Sequence, residues 1–168
     1  GTGEALWNPA RGELAPAIVS GADVVVNLSG ENVGAGRWSA ARREAILRSR
    51  VDATRTLVAA MKAAERPPEV FVSASAVGFY GERGDEVLKE DAAIGSGFLP
   101  EVCLAWETHA DVAARAGIRT ALLRFGVVLT PAGGALAKML PVFRLAAGGR
   151  VGTGRQWMSW VGREDAIG

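Results

Sequence analysis

Apolar residues fall along this chain in two patterns: short unbroken runs, and longer stretches where they recur every three or four positions. The first run is Val24-Val25-Val26-Asn27-Leu28, entered from Gly21-Ala22-Asp23. A β-branched run without alternation suits a strand covered on both faces, as in parallel sheets. It stops at Ser29-Gly30-Glu31-Asn32, a turn-rich loop. Trp38-Ser39 then offers an apolar residue followed by a good N-cap. Leu47, Val51, Thr54, Leu57, Val58 and Met61 recur at helical steps, which puts them on one face with arginines on the other. Pro67-Pro68 ends that helix, which the pattern allows in one piece or two.

The second run, Glu69-Val70-Phe71-Val72, predicts a buried strand that leads into SASAVGFYG, Ser73 to Gly81. Gly81 to Gly97 is polar and glycine-rich and reads as a loop. Pro100 predicts the first residue of a second helix. That helix runs to about Ala116, with Gly117 as a good C′ residue. Thr120 to Leu123 is a third strand, continuing into Arg124-Phe125-Gly126-Val127-Val128-Leu129. Beyond Thr130-Pro131 the chain is loop and helix, with Gly148-Gly149 and Gly152 to Gly154 as breakers. The expected fold class is therefore α/β: a βαβαβ unit whose right-handed crossovers make half of a doubly wound parallel sheet.

Composition changes this picture little. The chain of 168 residues is 49% hydrophobic and 22% charged, ordinary for one globular domain. Its net charge of +1 and scattered basic residues argue against a nucleic-acid or membrane-surface partner. No apolar run is long enough to span a bilayer. One cysteine, Cys103, and one histidine, His109, exclude an internal disulfide and leave a Cys/His zinc site short of its ligands, so no metal is expected. Cys103 reads as a small buried hydrophobe and His109 as a helix-surface residue. The chain opens Gly1-Thr2-Gly3 and stops at Asp165-Ala166-Ile167-Gly168, which looks like the start of a helix. Both ends are expected to be cuts from something longer.

In open parallel sheets, ligands lie outside the carboxyl ends of the strands. Those ends are Asn27-Leu28-Ser29-Gly30, Ser73-Ala74-Ser75 and Arg124-Phe125-Gly126. Each combines small residues with hydrogen-bonding groups, and small residues let a ligand approach the backbone closely. Loops after strands are often rich in glycine and serine anyway, so one such end would mean little. Three in register favour a ligand site of the shape a dinucleotide needs. The G-x-G-x-x-G signature is absent: Gly152-Thr153-Gly154 lacks the third glycine, and no strand pattern precedes it. A pyrophosphate loop is expected upstream of Gly1.

The stretch GADVVVNLSGENVGAGRWSAARREAILRSRVDATRTLV resembles the fourth strand and following helix of an extended short-chain dehydrogenase/reductase. VFVSASAVGFYG resembles that superfamily's next strand with its active-site serine, and ALLRFGVVLTPAGG the strand after. In order, NLSGENV, SRVDATR, SASAVGFYG, GFLPEVCLAWE, GGALAKMLPVFRLAAGG and GRQWMSW together resemble an atypical epimerase-family branch whose members carry a small C-terminal domain. The resemblance runs from about Leu6 to Gly168. It implies one partial Rossmann domain over 1–168, without its first strands and C-terminal domain, with 131–168 leading towards a substrate region. It implies NADP ahead of NAD, an unnamed small organic substrate, room for a homodimer, and a cytoplasmic setting. Asn27, Leu28, Ser29 and Gly30 would line the cofactor groove, with Ser73, Ala74 and Cys103 also against the cofactor. Phe125, Gly126, Val127 and Val128 would lie near the nicotinamide. Ser75 falls on the superfamily's catalytic serine, and Lys138, Trp157 and Trp160 fall towards the substrate.

The same resemblance exposes a gap. The superfamily's acid/base is a tyrosine four residues before a lysine, whose charge helps lower the phenol's pKa from about 10. The one tyrosine here, Tyr80, has Gly84 four residues on. In GFLPEVCLAWE the helix register puts Leu99 and Cys103 in the tyrosine and lysine places. Tyr80, Glu101, Cys103 and Lys138 are the groups available to replace the dyad. Tyr80 joins Ser75 as a candidate catalytic residue, with Ser75 expected to donate a hydrogen bond to a substrate oxygen or the nicotinamide amide. The alternative is a protein that binds NADP as a sensor and acts through a partner. Trp157 and Trp160 read either as packing or as an aromatic wall for a substrate.

Overall fold

The computed structural model describes residues 3–150 and 152–168; Gly1, Thr2 and Val151 lie outside them. Strands β1 (Val24–Asn27), β2 (Val70–Ala76) and β3 (Arg119–Phe125) form a parallel sheet in that order. Helix α1 (Ala40–Ala63) joins β1 to β2, and α2 (Phe98–Arg115) joins β2 to β3. Sequential parallel neighbours with crossovers of one hand put both helices on one face of the sheet. The core lies between them: Val58 and Met61 from α1, Ala110 and Ala113 from α2, and Phe71 from β2, closed by Val19 and Ile118.

The helix boundaries have local causes. The Ser39 hydroxyl accepts the Arg42 N–H at 3.2 Å, capping α1 as its sequence predicts. α1 is a single helix of 24 residues rather than two pieces. α2 starts at Phe98, two residues before the expected Pro100. Proline is tolerated there because the first-turn N–H groups have no partner within the helix. At its far end Gly117 has φ +89°, and the Gly117 and Ile118 N–H groups donate to Ala114 and Ala113 carbonyls.

Two features depart from the sequence pattern. Val24 and Val26 are about half exposed rather than covered, because β1 is a sheet edge and both helices pack on the opposite face. The third apolar run also splits. β3 ends at Phe125, and β4 (Val127–Leu129) leaves the sheet to pair in parallel with β5 (Trp160–Gly162). Gly126 permits the close approach at this break. A Cβ there would sit 2.7 Å from both oxygens of Ser159, whose carbonyl accepts the Val127 N–H at 2.8 Å. Helices α3 (Gly134–Arg144) and α4 (Arg163–Ile167), with short 3-10 turns at Pro9–Arg11, Pro16–Ile18 and Val77–Tyr80, complete the described elements. Among the described residues, no helix is long and apolar enough to cross a membrane.

Candidate functional site

The three strand ends predicted to face a ligand lie side by side. Asn27 at the end of β1 pairs in register with Ser73, and Ser75 pairs with Arg124. Asn27 is buried: its amide donates to Thr54 Oγ1 at 2.9 Å, and its Oδ1 accepts the Ser29 N–H at 3.1 Å. The side chain therefore fixes the turn out of β1, leaving Leu28 exposed. Gly30 lies under the Arg50 guanidinium, which a Cβ would approach to 3.0 Å. Arg50 in turn donates to the Glu31 and Ile46 carbonyls and lies over the Trp106 ring. Ser73 is wholly buried, and its hydroxyl donates to the Ala74 carbonyl at 3.4 Å.

Ser75 is the centre of a buried polar network. Its hydroxyl donates to Glu107 Oε1 at 2.5 Å. Glu107 sits on α2 and is 7% exposed. Arg124 grips it with two bonds, Nε to Oε1 and Nη2 to Oε2, both 2.8 Å. The third guanidinium nitrogen, Nη1, donates to Tyr80 Oη and to the Glu90 carbonyl, each at 3.0 Å. Arg124 also lies over the Phe79 ring, 3.6 Å from its centre. The bonds to Glu107 hold the Arg124 guanidinium above its ordinary pKa, against an opposing effect of burial. One cation thus ties β3 to α2, to the 3-10 turn at Val77–Tyr80 and to the loop after it.

Leu99 and Cys103, the positions expected to stand in for the dyad, lie in apolar surroundings. Leu99 Cβ and Cys103 Sγ pack on Gly78, 3.4 and 3.8 Å from where its Cβ would be. The Cys103 thiol donates to the Ala76 carbonyl at 3.7 Å. Burial, then the nearby Glu107 charge, push its pKa up, so it stays a thiol at neutral pH. Glu101 is exposed in the first turn of α2. Tyr80 is buried, stacks edge-on against Phe79 and reaches two cavities of about 640 Å³ each. One runs along Leu122 to Phe125, and the other lies between the 81–88 loop and Arg155, Gln156, Trp157 and Ser159. Trp157 Nε1 donates to Asp85 at 2.7 Å across the second cavity, while Trp160 is exposed on β5. Lys138 turns elsewhere, donating to the Gly34 carbonyl at 3.1 Å. Phe125 and Gly126 lie at the break after β3, and Val127 and Val128 are partly exposed beside it. Among the described residues, no group of acidic, histidine or cysteine side chains could hold a metal ion.

Glu107 was not singled out from sequence. Its signal lay in spacing: Leu99, Cys103 and Glu107 follow at four-residue steps, so the acid shares one face of α2 with them.

The NAD dependent epimerase/dehydratase family model matches residues 9–167. The chain belongs to that family. It is 43% identical over 164 residues to an epimerase family protein of Mycobacterium bovis, covering 98% of this chain and 54% of that one. It is 39% identical to the Bacillus subtilis epimerase family protein YfhF, covering 86% and 47%. The chain thus spans about half the length of the curated relatives it matches. Among solved structures it is similar to a nucleoside-diphosphate sugar epimerase from Corynebacterium glutamicum, at 40% identity and a TM-score of 0.79 over 98% of this chain and 34% of that one. It is also similar to human epimerase family protein SDR39U1 with NADPH, at 34% identity and a TM-score of 0.78, covering 83% and 48%. The family is the atypical short-chain dehydrogenase/reductase kind, and the parallel sheet is Rossmann-like, as its sequence implies.

Proposed function

We propose that this chain supplies the nicotinamide-facing half of an NAD(P) site, and that the whole protein is an oxidoreductase or epimerase of a small organic substrate. The observation that carries the reading is the Ser75–Glu107–Arg124 network, a buried and charged cluster at the carboxyl end of the central strand. Burying such groups is costly, and a fold with no ligand to meet there could fill the space with apolar side chains. The surroundings fit a flat, partly apolar ring. Leu28, Val127 and Val128 leave apolar surface open near the strand ends, and Gly30 keeps the β1 exit low. The NADPH in the human relative's structure supports the same cofactor here, with NADP ahead of NAD.

When bound, the nicotinamide would supply hydride transfer. The chain's own residues would exclude water and hold hydrogen bonds at Ser75 and Tyr80. Trp157 belongs to the substrate side on this reading, whereas Lys138 turns to the Gly34 carbonyl. The support for Trp157 is that it walls a cavity that Tyr80 also lines. A second reading, a non-catalytic NADP-binding regulator, draws on one observation: Leu99 and Cys103 leave the usual acid/base place without a titrating group at neutral pH.

Titration of the whole protein with NADPH and NADH tests the shared part, read by energy transfer from tryptophan to the reduced nicotinamide. Saturable binding that favours NADPH is expected. Binding of neither cofactor would overturn both readings. Consumption of NADPH with carbonyl compounds, lost in Ser75→Ala, would then separate the enzyme from the regulator.

A further inference from the structure

We infer that Glu107 is a positioning residue that turns Ser75 into a hydrogen-bond acceptor, so that the site takes a ligand offering a hydroxyl or N–H rather than a bare carbonyl oxygen. The inference rests on the proposed ligand site and reverses the polarity that its sequence suggests for Ser75. A serine hydroxyl has one proton and two lone pairs. Glu107 Oε1 takes that proton at 2.5 Å. Its carboxylate is the stronger acceptor because it is ionised and buried, and charge-assisted bonds of this kind are short and strong. The bidentate Arg124 pair matches its charge and fixes its orientation. Turning the proton towards a ligand carbonyl would break this bond and leave one lone pair of a buried anion unmatched. What Ser75 can offer without that cost is a lone pair.

The same cation sets the opposite polarity at Tyr80. Arg124 Nη1 donates to Tyr80 Oη, so the phenol's own proton is left to donate. Tyr80 borders both cavities. One ion pair therefore assigns an accepting role to Ser75 and a donating role to Tyr80. A ligand that reached both would meet Ser75 with a donor and Tyr80 with an acceptor.

Proton NMR of the whole protein tests the bond, and a matched pair of probes tests its consequence. An exchange-protected hydroxyl resonance, downfield of an ordinary serine hydroxyl, is expected in the wild type. It should vanish in Ser75→Ala, shift upfield in Glu107→Gln and persist in Tyr80→Phe. Ser75→Thr, which keeps the hydroxyl, should restore it, so the test stands even if Glu107→Gln folds poorly. Absence of a resonance that depends on Ser75 would overturn the inference. The probes are cyclohexanol with NADPH and cyclohexanone with NADP, each pair unable to react. About tenfold tighter binding of the alcohol is expected, since a lone pair without a donor is costly, and Glu107→Gln should abolish that preference. A wild-type preference for the ketone would contradict the inference. The resonance decides the assignment even where neither probe binds, and the cofactor titration separately decides the reading beneath it.

Discussion

Arg124 is the residue on which most of the candidate site depends. It neutralises Glu107, orients Tyr80 and holds the loop at Glu90. Arg124→Met would leave Glu107 buried with its charge unmatched, and a loss of about 3 kcal/mol in urea unfolding is expected. A loss below about 1 kcal/mol, the ordinary worth of an exposed pair, would show that the pair is not buried in solution. Cys103 gives a test of opposite character. Its thiol pKa is raised in the fold, so the folded state holds the proton after the unfolded chain has released it. Its contribution is therefore complete below the ordinary thiol value of about 8.5 and is lost as pH rises beyond it. Stability of the wild type should fall more steeply than that of Cys103→Ala between pH 8 and 10, a range set by that ordinary value. Parallel curves would contradict the burial of the thiol. These two residues also show what sequence can reveal at this scale. That Leu99 and Cys103 share one helix face was legible by counting. The pairing of Glu107 with Ser75 was not, because it joins residues 32 positions apart on different elements.

At the scale of elements, periodicity was a good guide wherever burial was one-sided and local. α1, β2 and α2 stand close to where their patterns put them, with Ser39 and Gly117 closing the ends predicted for them. The run from Thr120 to Leu129 misled for a physical reason. A largely apolar stretch records burial but not which sheet provides it, and the change of sheet falls at Gly126, where the backbone meets Ser159, far along the chain. Gly126→Ala should push Ser159 away and cost about 1–3 kcal/mol, as overpacking does. Near-ultraviolet circular dichroism of Trp157 and Trp160 should change with it. An unchanged spectrum and melting temperature would show that β4 and β5 do not depend on that approach. The second cavity depends on the same junction, since Ser159 and Trp157 form part of its wall.

For the whole molecule, the open face of the sheet is the feature with the widest consequence. Val24, Val26, Leu28 and Leu123 leave apolar surface on or near the face away from α1 and α2. An unpaired strand edge beside such a face invites association. This chain expressed alone should self-associate in light scattering, and Val26→Lys should reduce that. In the whole protein, about twice as long in its relatives, the same substitution should destabilise, because a charge would meet covered surface. Equal tolerance of Val26→Lys in both would contradict a covering layer. The most direct measurement for the account as a whole is a crystal structure of the whole protein grown with NADPH. The cofactor is expected along Asn27–Gly30, its nicotinamide near Ser75 and Phe125–Val128, with Ser75 still bonded to Glu107. A nicotinamide bound away from these strand ends would contradict the assignment of the site.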